Sequence, residues 1–337
     1  MPPVFPLLVG SGRSGTTLFR NVLDTHPDMA MTHEAHFIAP MARRRRIYGS
    51  GPGFDVAAFL DDLYANPNFV RQGVARDELA ADLAATPPAG FAAAVRSVFA
   101  RYAADHGKPR YGDKTPGYVS HLPLLAEVFP EARFVHIVRD GRDVAMSYLD
   151  RSEWGPATIS EAAHYWRDRV GRGRAAGRTL GPRRYREVRY EDMVDDPEAT
   201  TRALCEFLDL DYRPELLHFH ERGQEFIASS ATPEAFSGLA SPVTRGMRNW
   251  RTEMAPDDVA FFEAVAGELL ADLGYDRVTD RPTPSIRVRV AAGDAAWQGK
   301  RLMAQATPSI RRLRRRLGAY HPDGGRPDDG RPLDGQP

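Results

Sequence analysis

The sequence is poor in cysteine and has no long hydrophobic run. Cys205, the single cysteine among 337 residues, lies in an apolar segment of helical spacing, which predicts a buried structural thiol. One cysteine excludes an intramolecular disulfide framework and suits a reducing cytoplasm. No apolar run approaches the roughly 18 residues of a membrane span, and the N-terminus lacks the basic-then-apolar pattern of a signal peptide. These absences favour a cytoplasmic protein.

Metal-ligand patterns are missing as well. His33 and His36 lie three residues apart, but neither a cysteine nor a His-Glu-x-x-His pattern accompanies them. We therefore predict no metal site.

A lysine is absent at a position where phosphate-binding loops usually have one. The residues from Phe5 to Val9 predict a short buried strand, and a glycine-rich turn leads from it into a helix near Leu18. A strand, turn and helix of this kind form an anion cradle, because backbone N–H groups and the helix dipole converge there. The spacing is that of a P-loop, G-x-x-x-x-G-K-[ST], with Thr16 in place of the lysine. This change weighs against an ordinary ATPase or kinase and favours a different phosphate-bearing donor.

Strands and helices are predicted to alternate along the chain. Further strands are predicted at Met29 to Thr32, Arg133 to Val138 and Tyr185 to Tyr190. Helices are predicted at Val56 to Tyr64, Asp77 to Ala85, Phe91 to His106, Leu122 to Phe129, Asp143 to Leu149 and about Asp196 to Leu208. The alternation indicates an α/β fold in which helices flank a P-loop-type parallel sheet, with a helical insert at about residues 43–110. Ligands of such sheets bind beyond the carboxyl ends of the strands.

A net charge of zero conceals a basic C-terminal extension. Residues 281–320 hold ten Lys and Arg residues against one acid, Asp294, a net charge of +9. The run from Ile310 to Leu317 could form a short basic amphipathic helix that touches anionic lipid, although a solvated basic face is the simpler interpretation. Residues 321–337 are rich in Pro, Gly, Asp and Arg and predict a disordered tail. We therefore expect a main domain over residues 1–280, the extension over 281–320 and the tail over 321–337.

Two phosphate motifs in the expected order make the chain resemble a known family. Residues 12–17 resemble the 5′-phosphosulfate loop of sulfotransferases that use 3′-phosphoadenosine 5′-phosphosulfate (PAPS). Residues 134–149 resemble their 3′-phosphate motif, in which an arginine ends a strand and a serine follows eight residues later, here Arg139 and Ser147. The segments 113–116 and 188–193 also match family patterns. The resemblance covers roughly residues 5–275 and points to the bacterial branch that shares features with tyrosylprotein sulfotransferases. High Ala, Arg, Gly and Pro usage suits a bacterial source.

The resemblance implies roles for the loop residues and for Arg139. The residues expected to hold the 5′-phosphosulfate are Gly12, Arg13, Ser14, Gly15, Thr16 and Thr17. Arg13 would place a permanent charge beside the bridging oxygen, where negative charge grows as the bond breaks. Arg139 and Ser147 would bind the 3′-phosphate, which ATP lacks.

Three further assignments follow from the resemblance, each with an alternative. Lys114, placed in a short loop before the predicted helix at Leu122, would contact the transferring sulfuryl group, or else form a structural ion pair with Asp113. Tyr190 would contact adenine, or else be a core aromatic residue. Arg245 or Arg248 would reach the 3′-phosphate, although the spacing of this segment departs from that of many cytosolic sulfotransferases.

A general base is needed, because the acceptor loses a proton as it attacks sulfur. The segment 32–36 resembles the one in which tyrosylprotein sulfotransferases place their catalytic glutamate, so Glu34 is our candidate. A partly desolvated carboxylate there could have a raised pKa. His33 and His36 are alternatives, whereas His136, inside a strand, is expected to be a packed core residue.

The sequence therefore predicts in-line transfer of a sulfuryl group from PAPS to a hydroxyl or phenol, without a metal. The alternatives are a P-loop nucleotide kinase and a non-catalytic nucleotide-binding protein. The acceptor could be a small molecule, a lipid, a glycan or a peptide tyrosine, and no nucleic-acid partner is expected. The helical insert and the segment 151–176 are expected to shape the acceptor pocket; the residues of that segment singled out for this role are Trp154, His164, Tyr165 and Trp166. Contact of the basic extension with the inner membrane face is a further possibility.

Overall fold

The computed structural model describes residues 3–151, 155–221 and 249–316. They belong to two compact units. The first comprises residues 1–144 and 168–249, and the second comprises residues 145–167 and 250–337. The helices Gly141–Arg151 and Ile159–Leu180 each contribute residues to both units.

The first unit is built on a five-stranded parallel sheet in the order β2-β3-β1-β4-β5. The strands are β1 (Phe5–Gly10), β2 (Met29–His33), β3 (Arg110–Lys114), β4 (Ala132–Val138) and β5 (Tyr185–Arg189). The register pairs Leu8 with both Lys114 and Val135, and His33 with Lys114. The carboxyl ends of β1, β2 and β3 therefore meet at one edge of the sheet.

Helices connect the strands. Those up to β4 are α1 (Thr16–Asp24), α2 (Ile38–Arg44), α3 (Val56–Tyr64), α4 (Pro67–Val70), α5 (Arg76–Ala85), α6 (Phe91–Asp105) and α7 (Leu122–Val128). After β4 come α8 (Gly141–Arg151), α9 (Ile159–Leu180), α10 (Tyr190–Asp195) and α11 (Pro197–Phe207). Short 3-10 helices occupy Arg45–Tyr48, Gly51–Gly53, Pro116–His121 and Pro214–Glu221.

Both faces of the sheet are covered by apolar side chains. Phe5, Leu7 and Val9 of β1 join a core formed with the helical insert, whereas Leu8 joins a second core formed with α1 and α11. All four side chains are fully buried. Burial on both faces explains why β1 is apolar at almost every position rather than at alternate ones.

The second unit is helical in its described part. It contains Trp250–Glu253, Pro256–Asp272 and the long C-terminal helix Pro284–Arg316. Trp166 is fully buried and packs against Phe262, with ring centroids 5.8 Å apart. His164 is also fully buried. Two of the aromatic residues predicted to shape an acceptor pocket thus lie in the core of this unit, while Trp154 lies outside the described residues.

Most predicted elements are present within about two residues of their predicted ends. Cys205 is buried, and burial raises the pKa of its thiol to about 11. His136 is fully buried, and its Nδ1 lies 2.6 Å from the Tyr185 hydroxyl. Both residues have the structural roles that were predicted.

Three features differ from the predictions. Lys114 was predicted in a loop, but it ends strand β3, which the sequence analysis missed. Helix α9 was not predicted as a helix at all. The basic extension forms one helix from Pro284 to Arg316 instead of a short helix near Ile310.

None of the described helices combines the length and the apolar character that a membrane span requires. The predicted disordered tail lies outside the described residues.

Candidate active site

The loop between β1 and α1 has the backbone of an anion cradle. Arg13 and Gly15 have φ angles of 66° and 84°, in the left-handed region that side chains disfavour. Thr16 and Thr17 are the first residues of α1, so their N–H groups have no partner within the helix. The buried hydroxyl of Ser14 has no hydrogen-bond partner among the described residues. These donors suit a bound phosphate or sulfate group.

The Tyr190 ring packs against one side of this loop. A Cβ atom added to Gly15 would lie only 2.4 Å from the Tyr190 ring, so the ring packs directly on the loop backbone. The Arg139 guanidinium lies 4.5 Å from the centre of the same ring. Arg139 lies at the carboxyl edge of β4, as predicted, whereas Tyr190, predicted as the last residue of a strand, begins α10 directly after β5. The Tyr190 ring thus lies next to both the loop backbone and the Arg139 guanidinium.

A buried ion pair holds the turn that carries Arg139. Arg142 and Asp140 are both buried, and their side chains form two contacts of 3.0 and 2.7 Å. The backbone N–H of Asp140 donates to Glu191 at 3.0 Å, which connects this turn to the start of α10. No role for Asp140, Arg142 or Glu191 was predicted. The Asp140–Arg142 pair is local, whereas the contact with Glu191 depends on β4 and β5 being neighbours in the sheet.

Lys114 connects the loop to the candidate base. Its fully buried ammonium donates to Glu34 Oε1 at 2.6 Å, and lies 3.2 Å from His33 Nε2 and 3.3 Å from Thr17 Oγ1. These three acceptors match the three donors of an ammonium group. Asp113 instead accepts from Thr32 at 2.7 Å, so the predicted alternative of an Asp113–Lys114 ion pair is not what forms.

Glu34 is held in an unfavourable backbone conformation. Its φ is 49°, and its N–H donates to the Lys114 carbonyl at 2.7 Å. Its second carboxylate oxygen lies 3.2 Å from His36 Nε2, and about a third of the side chain is exposed. Strained non-glycine residues of this kind cluster at functional sites.

The electrostatics of Glu34 differ from the predicted raised pKa. Burial alone would raise the pKa of Glu34, but the nearby Lys114 ammonium and the hydrogen bond with His36 lower it overall. Burial lowers the pKa of Lys114, and the Glu34 carboxylate opposes that shift. Burial, and then Lys114, lower the pKa of His33 to about 3. At neutral pH the site therefore contains an ionised Glu34 and a neutral His33.

Gln72 is a neighbour of the site that sequence analysis missed. Its side-chain oxygen accepts from the His33 N–H at 3.1 Å, and its amide nitrogen donates to the His33 carbonyl at 2.6 Å. The amide thereby pairs with the free edge of β2 as another strand would. This contact fixes the backbone immediately before Glu34, and no local sequence signal marks it.

Of the remaining predicted site residues, only Ser147 lies in the part of the chain that the structure describes. Ser147 is buried on α8, the helix that follows Arg139. Arg245 and Arg248 lie outside the described residues. Within the described residues, no group of three or more His, Cys, Asp or Glu side chains could hold a metal ion.

Comparison with known proteins identifies the family. The model of the family described as "Sulfotransferase family" matches residues 3–214. The chain belongs to the sulfotransferase family. As a sulfotransferase it catalyses sulfuryl transfer, and the alternatives of a nucleotide kinase and a non-catalytic protein are not favoured.

Its relatives include curated enzymes and solved structures. Protein-tyrosine sulfotransferase 1 of Danio rerio is 27% identical over 295 residues, which cover 84% of this sulfotransferase and 74% of the relative. The protein-tyrosine sulfotransferase of Drosophila melanogaster is 25% identical, and the match covers 84% of this chain but only 53% of that protein. A sulfotransferase domain from the curacin biosynthetic pathway has the same fold, with a TM-score of 0.56, 20% identity, and coverage of 82% of this chain and 99% of that one.

Proposed function

We propose that this sulfotransferase uses PAPS as its donor and transfers the sulfuryl group to a phenolic hydroxyl, with a peptide tyrosine as the leading candidate. The observation that carries the proposal is the Lys114 contact set, which joins loop residue Thr17 to the candidate base Glu34. The names of the curated relatives support the acceptor class.

The loop residues fit the donor. The left-handed Arg13 and Gly15, the unpaired hydroxyl of Ser14 and the first N–H groups of α1 supply donors for the 5′-phosphosulfate. Arg139, whose guanidinium lies over the Tyr190 ring, supplies a positive charge for the 3′-phosphate. The role of Ser147 stays a prediction from the sequence. Tyr190 presents its ring to the adenine. When bound, PAPS supplies a sulfuryl group attached through an oxygen that leaves with the 5′-phosphate.

The chain's own residues supply the charge and the base. Arg13 stabilises the negative charge on the departing oxygen. Lys114 neutralises the sulfuryl oxygens, and its longest contact, 3.3 Å to Thr17, is the one directed at the loop. Glu34 is ionised at neutral pH and accepts the acceptor's proton. As that proton arrives, the charge of Lys114 is no longer balanced by Glu34 and acts more strongly on the transferring group.

The location and source of the protein stay predictions from the sequence. A single buried cysteine supports a reducing cytoplasm, and the composition supports a bacterial source.

The proposal is tested by measuring transfer of labelled sulfate from PAPS to a panel of phenols and tyrosine peptides. Replacing Arg13 with Ala should lower kcat/KM about 100- to 1000-fold, because a preorganised positive charge is removed from the transition state. Arg46→Ala, at an exposed arginine, is the matched control and should be unchanged. Equal turnover of Arg13→Ala and the control would overturn the assignment of the loop.

A further inference from the structure

The C-terminal helix Pro284–Arg316 has one side that packs within the second unit. At about 100° per residue, this inner side contains Ile286, Val290, Gly293, Asp294 and Trp297. Ile286 is 2% exposed, and Asp294 lies 2.9 Å from His164 Nε2. A Cβ atom at Gly293 would lie 2.6 Å from the Ser160 hydroxyl and 3.3 Å from the Phe261 ring. The first half of this helix is therefore fixed against α9 and helix Pro256–Asp272.

The opposite side of the same helix is apolar and exposed. This outer stripe, which spans about 100° of the helix circumference, is formed by Val288, Ala292, Ala295, Leu302 and Met303. Val288, Leu302 and Met303 are 71%, 67% and 74% exposed, more than any other large hydrophobic side chain among the described residues. In the sequence, Ile310 and Leu313 follow Leu302 by eight and eleven residues, a spacing typical of one side of an amphipathic helix. An apolar stripe of this length on an exposed helix face indicates a binding surface.

The charged residues in the second half of this helix are all positive. No acid occurs from Ala295 to Arg316, whereas residues 300, 301, 311, 312, 314, 315 and 316 are basic. Lys300 pairs with Glu161, and Arg289 lies 3.3 Å from Asp258. The net positive charge rises toward the end of the helix.

We infer that the outer stripe docks on an anionic lipid bilayer surface. A helix with one apolar side and basic residues around the rest of its circumference fits such a surface, because the apolar side chains enter the acyl boundary while the cations of the polar side attract anionic headgroups. From Val288 to Met303 the stripe runs about 22 Å at 1.5 Å per residue, a narrow shape that suits a flat surface. The outer stripe shares no residue with the proposed donor site, and docking would hold the enzyme beside acceptors located at a membrane.

The test is sedimentation of the full chain with vesicles of phosphatidylcholine alone and with vesicles that also contain phosphatidylglycerol. We expect binding to the anionic vesicles and about tenfold weaker binding when Leu302 or Met303 is replaced by Glu. Ile47→Glu is the matched control, because Ile47 is 61% exposed and lies in the first unit. Replacing the five arginines of 311–316 with Gln should lower binding to the anionic vesicles and leave the neutral ones unchanged.

Several outcomes would overturn the inference. One is the absence of binding to anionic vesicles, and another is equal binding by Leu302→Glu and Ile47→Glu. A third is a dimer of the wild-type chain in velocity sedimentation that Leu302→Glu converts to a monomer, with no vesicle binding by either; the stripe would then be covered by a second copy. Sulfuryl transfer in solution should be unchanged in every variant, which shows that the chain is folded. Failure of the vesicle test would leave the proposed donor and acceptor untouched.

Discussion

Glu34 combines backbone strain, an ion pair and partial exposure in one residue. Its φ of 49° and its 2.6 Å contact with Lys114 can be maintained only if the surrounding strands fix both residues. The register that places His33 opposite Lys114 does this, and Gln72 holds the same backbone from the other side. The carboxylate is therefore preorganised before any ligand binds.

Replacing Glu34 with Gln should lower kcat about 100- to 10,000-fold, because the variant has no base at this position. In this variant the residual activity should also begin to fall at a lower alkaline pH than in the wild type. The reason is that Lys114, whose pKa burial already lowers, loses the carboxylate that opposes this shift. A pH profile of kcat/KM measures both effects. Glu78→Gln, at an exposed carboxylate, should behave as the wild type, and a larger loss in His36→Asn than in Glu34→Gln would identify His36 as the base instead.

His33 should make the stability of the protein depend on pH. Its pKa is about 3 in the folded state, below the ordinary value of about 6.5, so between these values the unfolded chain binds a proton that the folded chain does not. The free energy of unfolding should therefore decrease as the pH falls through this window. Urea denaturation of His33→Gln should show a slope smaller by up to about 1.4 kcal/mol per pH unit.

Part of that dependence should persist in the variant, because burial also lowers the pKa of His136 to about 3. An identical slope in wild type and His33→Gln would show that His33 is protonated equally in both states.

At the scale of elements, the loop between β1 and α1 depends on one glycine for two separate reasons. Gly15 has a φ of 84°, and Tyr190 leaves no room for a Cβ atom. Gly181 has a similar φ of 73°, but no atom lies within 4 Å of the position that a Cβ atom would take there. The two glycines therefore separate backbone strain from the contact with Tyr190.

Gly181→Ala should lower the free energy of unfolding by about 1–2 kcal/mol and leave donor binding unchanged. Gly15→Ala should lose at least as much stability and also bind adenosine 3′,5′-bisphosphate more weakly, because the ring must move. Thermal denaturation and binding titrations of both variants provide the comparison. Equal donor affinity in the two variants would contradict the role given to Tyr190.

Elements with strong local signals were predictable. The strand–loop–helix from Phe5 to Asp24 and the Arg139 turn follow from apolar runs that end in glycine-containing turns. Strand β3 was not predictable in this way, because its sequence Arg110–Lys114 contains little apolar character and its burial comes from its position between β1 and β2. The resemblance nevertheless identified Lys114 as a site residue. Its contacts with Thr17, His33 and Glu34 became evident only from the strand register. Gln72 carries no signal that could be read without the fold.

At the scale of the whole molecule, four of the proposed donor-site residues and the basic helix occur in different units. Arg13, Lys114, Arg139 and Tyr190 belong to the first unit, and the +9 segment 281–320 belongs to the second. The family match ends at residue 214, before that segment begins. Sulfuryl transfer and docking on a lipid surface can therefore be tested with separate variants.

The most direct test of the central claim is a calorimetric titration of the full chain with adenosine 3′,5′-bisphosphate, 5′-AMP and ATP. We predict that the bisphosphate binds most tightly and that Arg139→Ala weakens its binding about 10- to 100-fold, the loss expected for a charge-assisted contact with the 3′-phosphate. The affinity for 5′-AMP should change little in this variant. Binding of ATP that equals or exceeds that of the bisphosphate would contradict the assignment of PAPS as the donor.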